Sequence, residues 1–136
     1  MSFLIDTNVI SERLRTKPNA NVVKWLDDVP AEMQFISVLT LGEIRKGIET
    51  LDHGKRKTSL LVWLEHDLPA WFGDNILSID QKVADYWGYL IAQTKRPLPA
   101  IDSLLAATAI VHQLKIVTRN VDDFKLPGLE VINPWD

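Results

Sequence analysis

The 136-residue sequence contains no cysteine and only three histidines. Without a thiol, disulfides, thiolate zinc sites, iron-sulfur clusters and cysteine nucleophiles are excluded, and any chemistry falls to carboxylates, hydroxyls and imidazoles. A bound metal should accordingly be a hard ion held by oxygen. The sequence also lacks a long hydrophobic run. Its longest nearly apolar stretch, Leu104 to Val111 around Thr108, is far short of the ~20 residues that cross a bilayer, and Asp6 interrupts any signal-like start. A cytoplasmic protein is expected. Repeats, linkers and low-complexity tracts are absent too, while the hydrophobic fraction of 46% and charged fraction of 24% are those of an ordinary globular domain. Residues 1–136 therefore read as one domain, burying roughly two-thirds of the surface its unfolded chain exposes.

An excess of positive charge is missing as well: 15 basic against 18 acidic residues leave a net charge of -3. Nucleic-acid binders usually present a basic surface. Acidic residues that gather around divalent ions are cancelled locally, however, which frees basic groups elsewhere to face a polyanion. Arg13, Arg15 and Lys17, then Arg45 and Lys46, then Lys55, Arg56 and Lys57 are the candidate groups. Each cluster taken alone reads better as a solvated helix face.

Phe3-Leu4-Ile5 is a short apolar run followed by the capping residues Asp6-Thr7-Asn8, which predicts a strand ending in a helix start. Gln34 to Ser37 leads in the same way into a helix over Val38 to Leu51, where Leu41, Ile44, Ile48 and Leu51 form one stripe. Helices are predicted over Ala20 to Val29, Lys55 to Leu68 and Gln81 to Thr94, with a strand over Ile76 to Ile79 and Asp80 as an N-cap. Leu104 to Leu114 is apolar nearly all round, as in a helix buried between other elements, and Ile116 to Thr118 and Val131-Ile132 are further strands. Short apolar strands alternating with helices indicate an α/β fold around a mainly parallel sheet. Ligands of such sheets bind beyond the carboxyl ends of the strands.

The residues expected at that edge are largely acids. Asp6 follows the first strand, Asp80 the third, and Asn120, Asp122 and Asp123 the fourth, while Glu43 and Asp102 lie near helix starts. Asp6 and Asp102 could serve as N-caps, and Asp80 fits that use best. Glu43 flanks the apolar stripe with Gly47 one turn on, where a glycine costs on the order of 1 kcal/mol against alanine and leaves space. Asp102 begins a helix whose own side continues through Ala106 and Ala109, and a carboxylate at a buried helix end is costly unless paired or metal-bound. Carboxylates from distant segments converging on one edge repel one another unless cations intervene. Mg²⁺ or Mn²⁺ resolves the conflict, and metal-assisted phosphodiester hydrolysis is the natural chemistry.

Leu4-Ile5-Asp6-Thr7-Asn8, Leu41-Gly42-Glu43-Ile44, Asp102-Ser103-Leu104-Leu105-Ala106-Ala107 and Val117-Thr118-Arg119-Asn120-Val121-Asp122-Asp123-Phe124 resemble, in order and spacing, the motifs of PIN-domain ribonucleases. The likeness runs from Phe3 to Trp135 and is greatest to VapC-type toxins of toxin-antitoxin pairs, including their FitB-like relatives. It implies a three-layer α/β sandwich with Asp6, Glu43 and Asp102 holding metal. Where many members carry an acid two residues after the Thr, this chain has Asn120, and the acid before Phe124 points to Asp123 instead, with Asp122 a possible substitute. In the implied mechanism Asp6 and Asp102 ligate Mg²⁺ or Mn²⁺, Glu43 ligates it or orients a water, and a second ion sits near Asp123. Thr7 and Asn8 would hold Asp6 through the turn, and Thr118 would position the attacking water; plain capping is the alternative for all three. The resemblance also implies an RNA substrate, a homodimer, and a VapB-type antitoxin in a hetero-oligomeric complex. The antitoxin's C-terminal segment would cover the groove, with an arginine on the acids and its apolar part near Trp25 or Leu39.

Three rivals come from the same residues. His53 and His66 could cut RNA without metal as acid and base. A phosphoacceptor receiver would want a lysine where the chain has Arg119, and a degenerate PIN fold would only bind. The five tryptophans, Trp25, Trp63, Trp71, Trp87 and Trp135, are expected mainly in the core.

Overall fold

Phe3–Ile5 forms β1 at the centre of a five-stranded, wholly parallel sheet in a computed structural model that describes residues 1–136. β2 (Gln34–Ser37) and β3 (Ile76–Leu77) lie to one side of it, β4 (Lys115–Val117) and β5 (Val131–Ile132) to the other, in the order β3-β2-β1-β4-β5. The chain thus leaves β1 in one direction and returns to its other flank late, which makes the β1/β4 junction the point where strand order reverses. A crevice opens there at the carboxyl ends of an open parallel sheet.

The pleat sends alternate strand residues to opposite faces, and each face has its own core. Ile5, Ile36 and Val117 pack beneath α1 (Thr7–Arg13), α2 (Ala20–Asp28), α3 (Val38–Glu49), α4 (Lys55–Val62) and α5 (Leu68–Phe72). Leu4 and Ile116 pack on the other face against Val83 and Leu90 of α6 (Gln81–Gln93), Leu105, Ala106 and Ala109 of α7 (Ala100–His112), and Phe124. Small residues on α7 let α6 and α7 approach closely. These are the three layers expected from the sequence.

Several elements depart from the predicted bounds. The helix expected over Val38 to Leu51 ends at Glu49, and the one expected over Leu104 to Leu114 starts earlier, at Ala100 directly after Pro99, and ends at His112. The helix expected over Lys55 to Leu68 widens at Trp63–Asp67, where the Leu68 N–H reaches back to the Trp63 carbonyl, and resumes as α5. Pro69 explains the widening, because a proline removes one helical hydrogen bond and its ring crowds the carbonyl four residues earlier. The strand expected over Ile76 to Ile79 ends at Leu77. Its only neighbour is β2, whose last residue, Ser37, pairs with Leu77 and already caps α3 by accepting from the Leu39 N–H. Asp80 caps α6 as predicted, accepting from the Val83 N–H at 3.0 Å. No helix is long and apolar enough to cross a membrane.

Candidate active site

Asp6 leaves the end of β1 directly beside the end of β4, its N–H donating to the Val117 carbonyl at 2.9 Å. Only 7% of it is exposed. One carboxylate oxygen, Oδ1, accepts from the Thr7 N–H at 2.7 Å, and the other, Oδ2, accepts from the Thr118 hydroxyl at 2.7 Å. Asp6 is therefore the N-cap of α1 and also faces the crevice. Burial raises its pKa; the bonds from Thr118 and Thr7 oppose the rise, and the charges of Glu43 and Asp123 add to it.

Thr118 is fully buried, and its single proton goes to Asp6 while its oxygen accepts from the Asn120 N–H at 3.0 Å and Asn8 Nδ2 at 3.3 Å. Its hydroxyl proton thus anchors Asp6. Asn8 ties the same corner together, since its Oδ1 also accepts from the Arg119 N–H at 3.3 Å. Thr7 does two things: its N–H holds Asp6, and its hydroxyl donates to Glu43 Oε1 at 2.6 Å, fixing the acid of α3 to the start of α1. Asn120 contributes through its backbone, and its side chain is exposed.

Asp102 is the third residue of α7, and the cap position belongs to Pro99, so the capping use is ruled out. Its carboxylate accepts no hydrogen bond from the chain. Burial first, then the charges of Asp6, Asp123 and Glu43, raise its pKa from 3.8 to about 6. Four acids from four separate segments thus lie within electrostatic reach of one another, and none has a Lys, Arg or His partner, although eight ion pairs form elsewhere. Asp122 differs from its neighbour: it is exposed and pairs with Lys125 at 2.8 Å, whereas half-buried Asp123 belongs to the cluster.

The donor set is all oxygen and uncompensated, which suits a hard divalent cation. No three of these groups converge tightly enough to form an all-protein cage. Mg²⁺ needs none, because it keeps several waters and is typically held by one or two carboxylates together with substrate phosphates. Asp6 and Asp102, with both of Asp102's oxygens free of hydrogen bonds, are the groups that could take it.

The basic clusters singled out in the sequence are partly committed elsewhere: Arg13 pairs with Asp27, Arg15 with Glu12, and Arg45 and Lys57 with Glu49. Arg56 lines the groove that holds Glu43. A further group of cations, Lys95, Arg96 and Lys125, is brought together from two segments, with Arg96 Nη2 donating to the Lys125 carbonyl at 3.2 Å and Lys125 pairing with Asp122 beside Asp123. No run of charge marks them in the sequence. His53 and His66 are exposed and hydrogen-bond to nothing, and Trp25 packs edge-on against Phe3 with ring centroids 5.1 Å apart. The groove that adjoins Glu43 lies between α1, α3 and α4, away from Trp25 and Leu39, and is lined by Leu14, Ile44, Gly47, Ile48, Leu51 and Leu60.

The family model of the PIN domain matches residues 3–128. The chain is 38% identical to Toxin FitB from Neisseria gonorrhoeae over 135 residues, covering 97% of each protein. It is 35% identical to VapC ribonuclease Y4jK from Sinorhizobium fredii over 137 residues, covering 98% of this chain and 97% of that protein. The crystal structure of FitAcB from Neisseria gonorrhoeae contains a chain that superimposes with a TM-score of 0.92 at 38% identity, covering 98% of both. The chain belongs to the PIN domain family.

Proposed function

We propose that this protein is a divalent-cation-dependent endoribonuclease, the toxin of a toxin-antitoxin pair that acts in the cytoplasm. The observation that carries this is the cluster of Asp6, Glu43, Asp102 and Asp123, four acids without a basic partner. Protein stability alone gives no reason to gather such charges, whereas cation binding does. The ribonuclease and toxin names of relatives at 35% and 38% identity over nearly the whole chain support the reading.

Asp6 and Asp102 would hold Mg²⁺ or Mn²⁺, with Glu43 and Asp123 at its flanks. When bound, the cation supplies charge for the phosphate and lowers the pKa of water. The chain's own part is to keep Asp6 aimed and ionised through Thr7 and Thr118, to hold Glu43 in place through the Thr7 hydroxyl, and to leave Asp102 free. The products carry 5′-phosphate and 3′-hydroxyl ends.

The groove beside Glu43, about 180 Å³ and mostly apolar, suits an amphipathic segment of an antitoxin. An arginine of that segment would reach Glu43, Asp6 or Asp102 with planar, bidentate geometry and compete with the cation. The protein pairs as a homodimer and joins the antitoxin in a hetero-oligomer.

Incubating the purified chain with structured RNAs, with Mg²⁺ or Mn²⁺ and with chelator, tests the reading. Cleavage should require the cation, and Asp6→Asn or Asp102→Asn should abolish it with the fold intact. Cleavage that persists in chelator and leaves cyclic phosphates would transfer the chemistry to His53 and His66. A chain that cuts no RNA and is harmless when expressed alone would be a binding module.

A further inference from the structure

A cavity of about 600 Å³ lies outside the acid cluster, walled by the C-terminal half of α6, the segment joining α6 to α7, and the loop after the Val121–Phe124 turn. Tyr86 and Tyr89, with ring centroids 5.7 Å apart, stand on its α6 wall, and Tyr89 is 59% exposed, a large aromatic left in water. Gln93 brings an amide with both donor and acceptor. Lys95, Arg96 and Lys125 place three cations on the walls. The bond from Arg96 to the Lys125 carbonyl joins the two sides, and only Lys125 is paired with a carboxylate, that of Asp122.

The cavity is tied to the site through the chain. Lys125 is two residues beyond Asp123, at most about 7 Å along the chain, and the segment bearing Lys95 and Arg96 runs directly into the helix that carries Asp102. Aromatic faces, an amide and uncompensated cations beside a phosphodiester-cutting centre match an unpaired nucleotide: a base for the ring, an edge for the amide, a phosphate for the cations. A second copy of the chain fits less well, because a two-fold interface would bring the cations of the two patches together.

We propose that this cavity seats one unpaired nucleotide of the RNA, next to the one whose phosphate is cut. The inference rests on the ribonuclease reading and assigns that enzyme a base-stacking subsite formed by Tyr89 and Tyr86, with Lys95 and Arg96 on the flanking phosphates.

The test uses the full chain carrying Asp102→Asn, so that RNA is bound without being cut, and a short fluorescein-labelled single-stranded RNA of mixed sequence followed by anisotropy. Adding Tyr89→Ala should raise Kd about tenfold, while Tyr89→Phe, which keeps the ring, should restore it. Lys95→Ala combined with Arg96→Ala should lower the slope of log Kd against log salt by about 1.4, the loss of two phosphate contacts on a single strand. RNA containing 4-thiouridine should crosslink to the α6 peptide that carries Tyr86 and Tyr89. Crosslinks confined to other surfaces would overturn the subsite. So would a change of oligomeric mass in Tyr89→Ala, which would make the patch a contact between copies. If the chain without substitutions cuts RNA and neither Tyr89→Ala nor the double variant alters binding, the subsite alone is wrong. If the chain neither binds nor cuts RNA, the ribonuclease reading fails and takes the subsite with it.

Discussion

Asp6 and Asp102 show how two carboxylates in one cluster come to differ. Asp6 is nearly sealed from water, yet two short hydrogen bonds oppose the penalty of its burial. Asp102 has none, and its pKa stands at about 6. Because the folded protein holds this proton more tightly than the unfolded chain does, the stabilisation it brings is complete below about pH 4 and is lost as pH rises through about 6. Screening of this partly exposed group leaves about 1 kcal/mol of the effect. In chelator, Asp102→Asn should therefore raise Tm by a few degrees above pH 6 and have little effect near pH 4, as calorimetry at the two pH values would show; equal shifts at both would contradict it. With Mg²⁺ limiting, protons and cation compete for Asp102, so cleavage should fall as pH drops below about 6. Between the adjacent acids, Asp123→Asn should lower cleavage well beyond Asp122→Asn, because Asp122 points outward to Lys125. Equal losses in single-turnover assays would show that Asp123 has no special place.

At the scale of elements, α3 and α7 show why so much of the fold was legible. The stripe of Leu41, Ile44, Ile48 and Leu51 announces a helix with one buried side, and Ile44 and Ile48 of α3 are indeed buried. Leu51, beyond the helix end, lines the groove instead. The period marks a helix but not the point where it stops facing the core. The widened turn before α5 was hidden for a different reason, since Pro69 shows that something must yield and not which carbonyl will move. At the end of α7 the Leu114 N–H bonds to the Ala109 carbonyl at 2.8 Å across Gln113, which sits in the left-handed region at φ 57. Glycine usually occupies this position, and a side chain there costs roughly 1 kcal/mol. Gln113→Gly should accordingly raise stability by up to about 1 kcal/mol in urea unfolding, with cleavage unchanged. A loss of stability would mean that Gln113 makes a compensating contact.

For the whole molecule, the four motifs were legible as a set because the acids recur in order along the chain, but their company was not. The cavity cations come from segments about thirty residues apart, and the groove beside Glu43 exists only once α1, α3 and α4 have packed. Gly47 bears on the proposed use of that groove. A Cβ added there meets no atom within 4 Å, so packing does not demand the glycine, which nonetheless costs the helix about 1 kcal/mol. It lines the groove one turn from Glu43 and leaves that groove open for a partner's side chain. Gly47→Leu should then separate stability from regulation. The variant should melt no lower than the natural chain, because leucine favours helix, and should still cut RNA, because Asp6, Asp102 and Asp123 are untouched. Its side chain would fill the groove and weaken antitoxin binding at least tenfold, which titration calorimetry with the cognate antitoxin can read. In growing cells the variant should remain toxic when that antitoxin is co-expressed at a level that rescues the natural chain. Full rescue with unchanged affinity would place the partner's apolar segment on another face of the molecule.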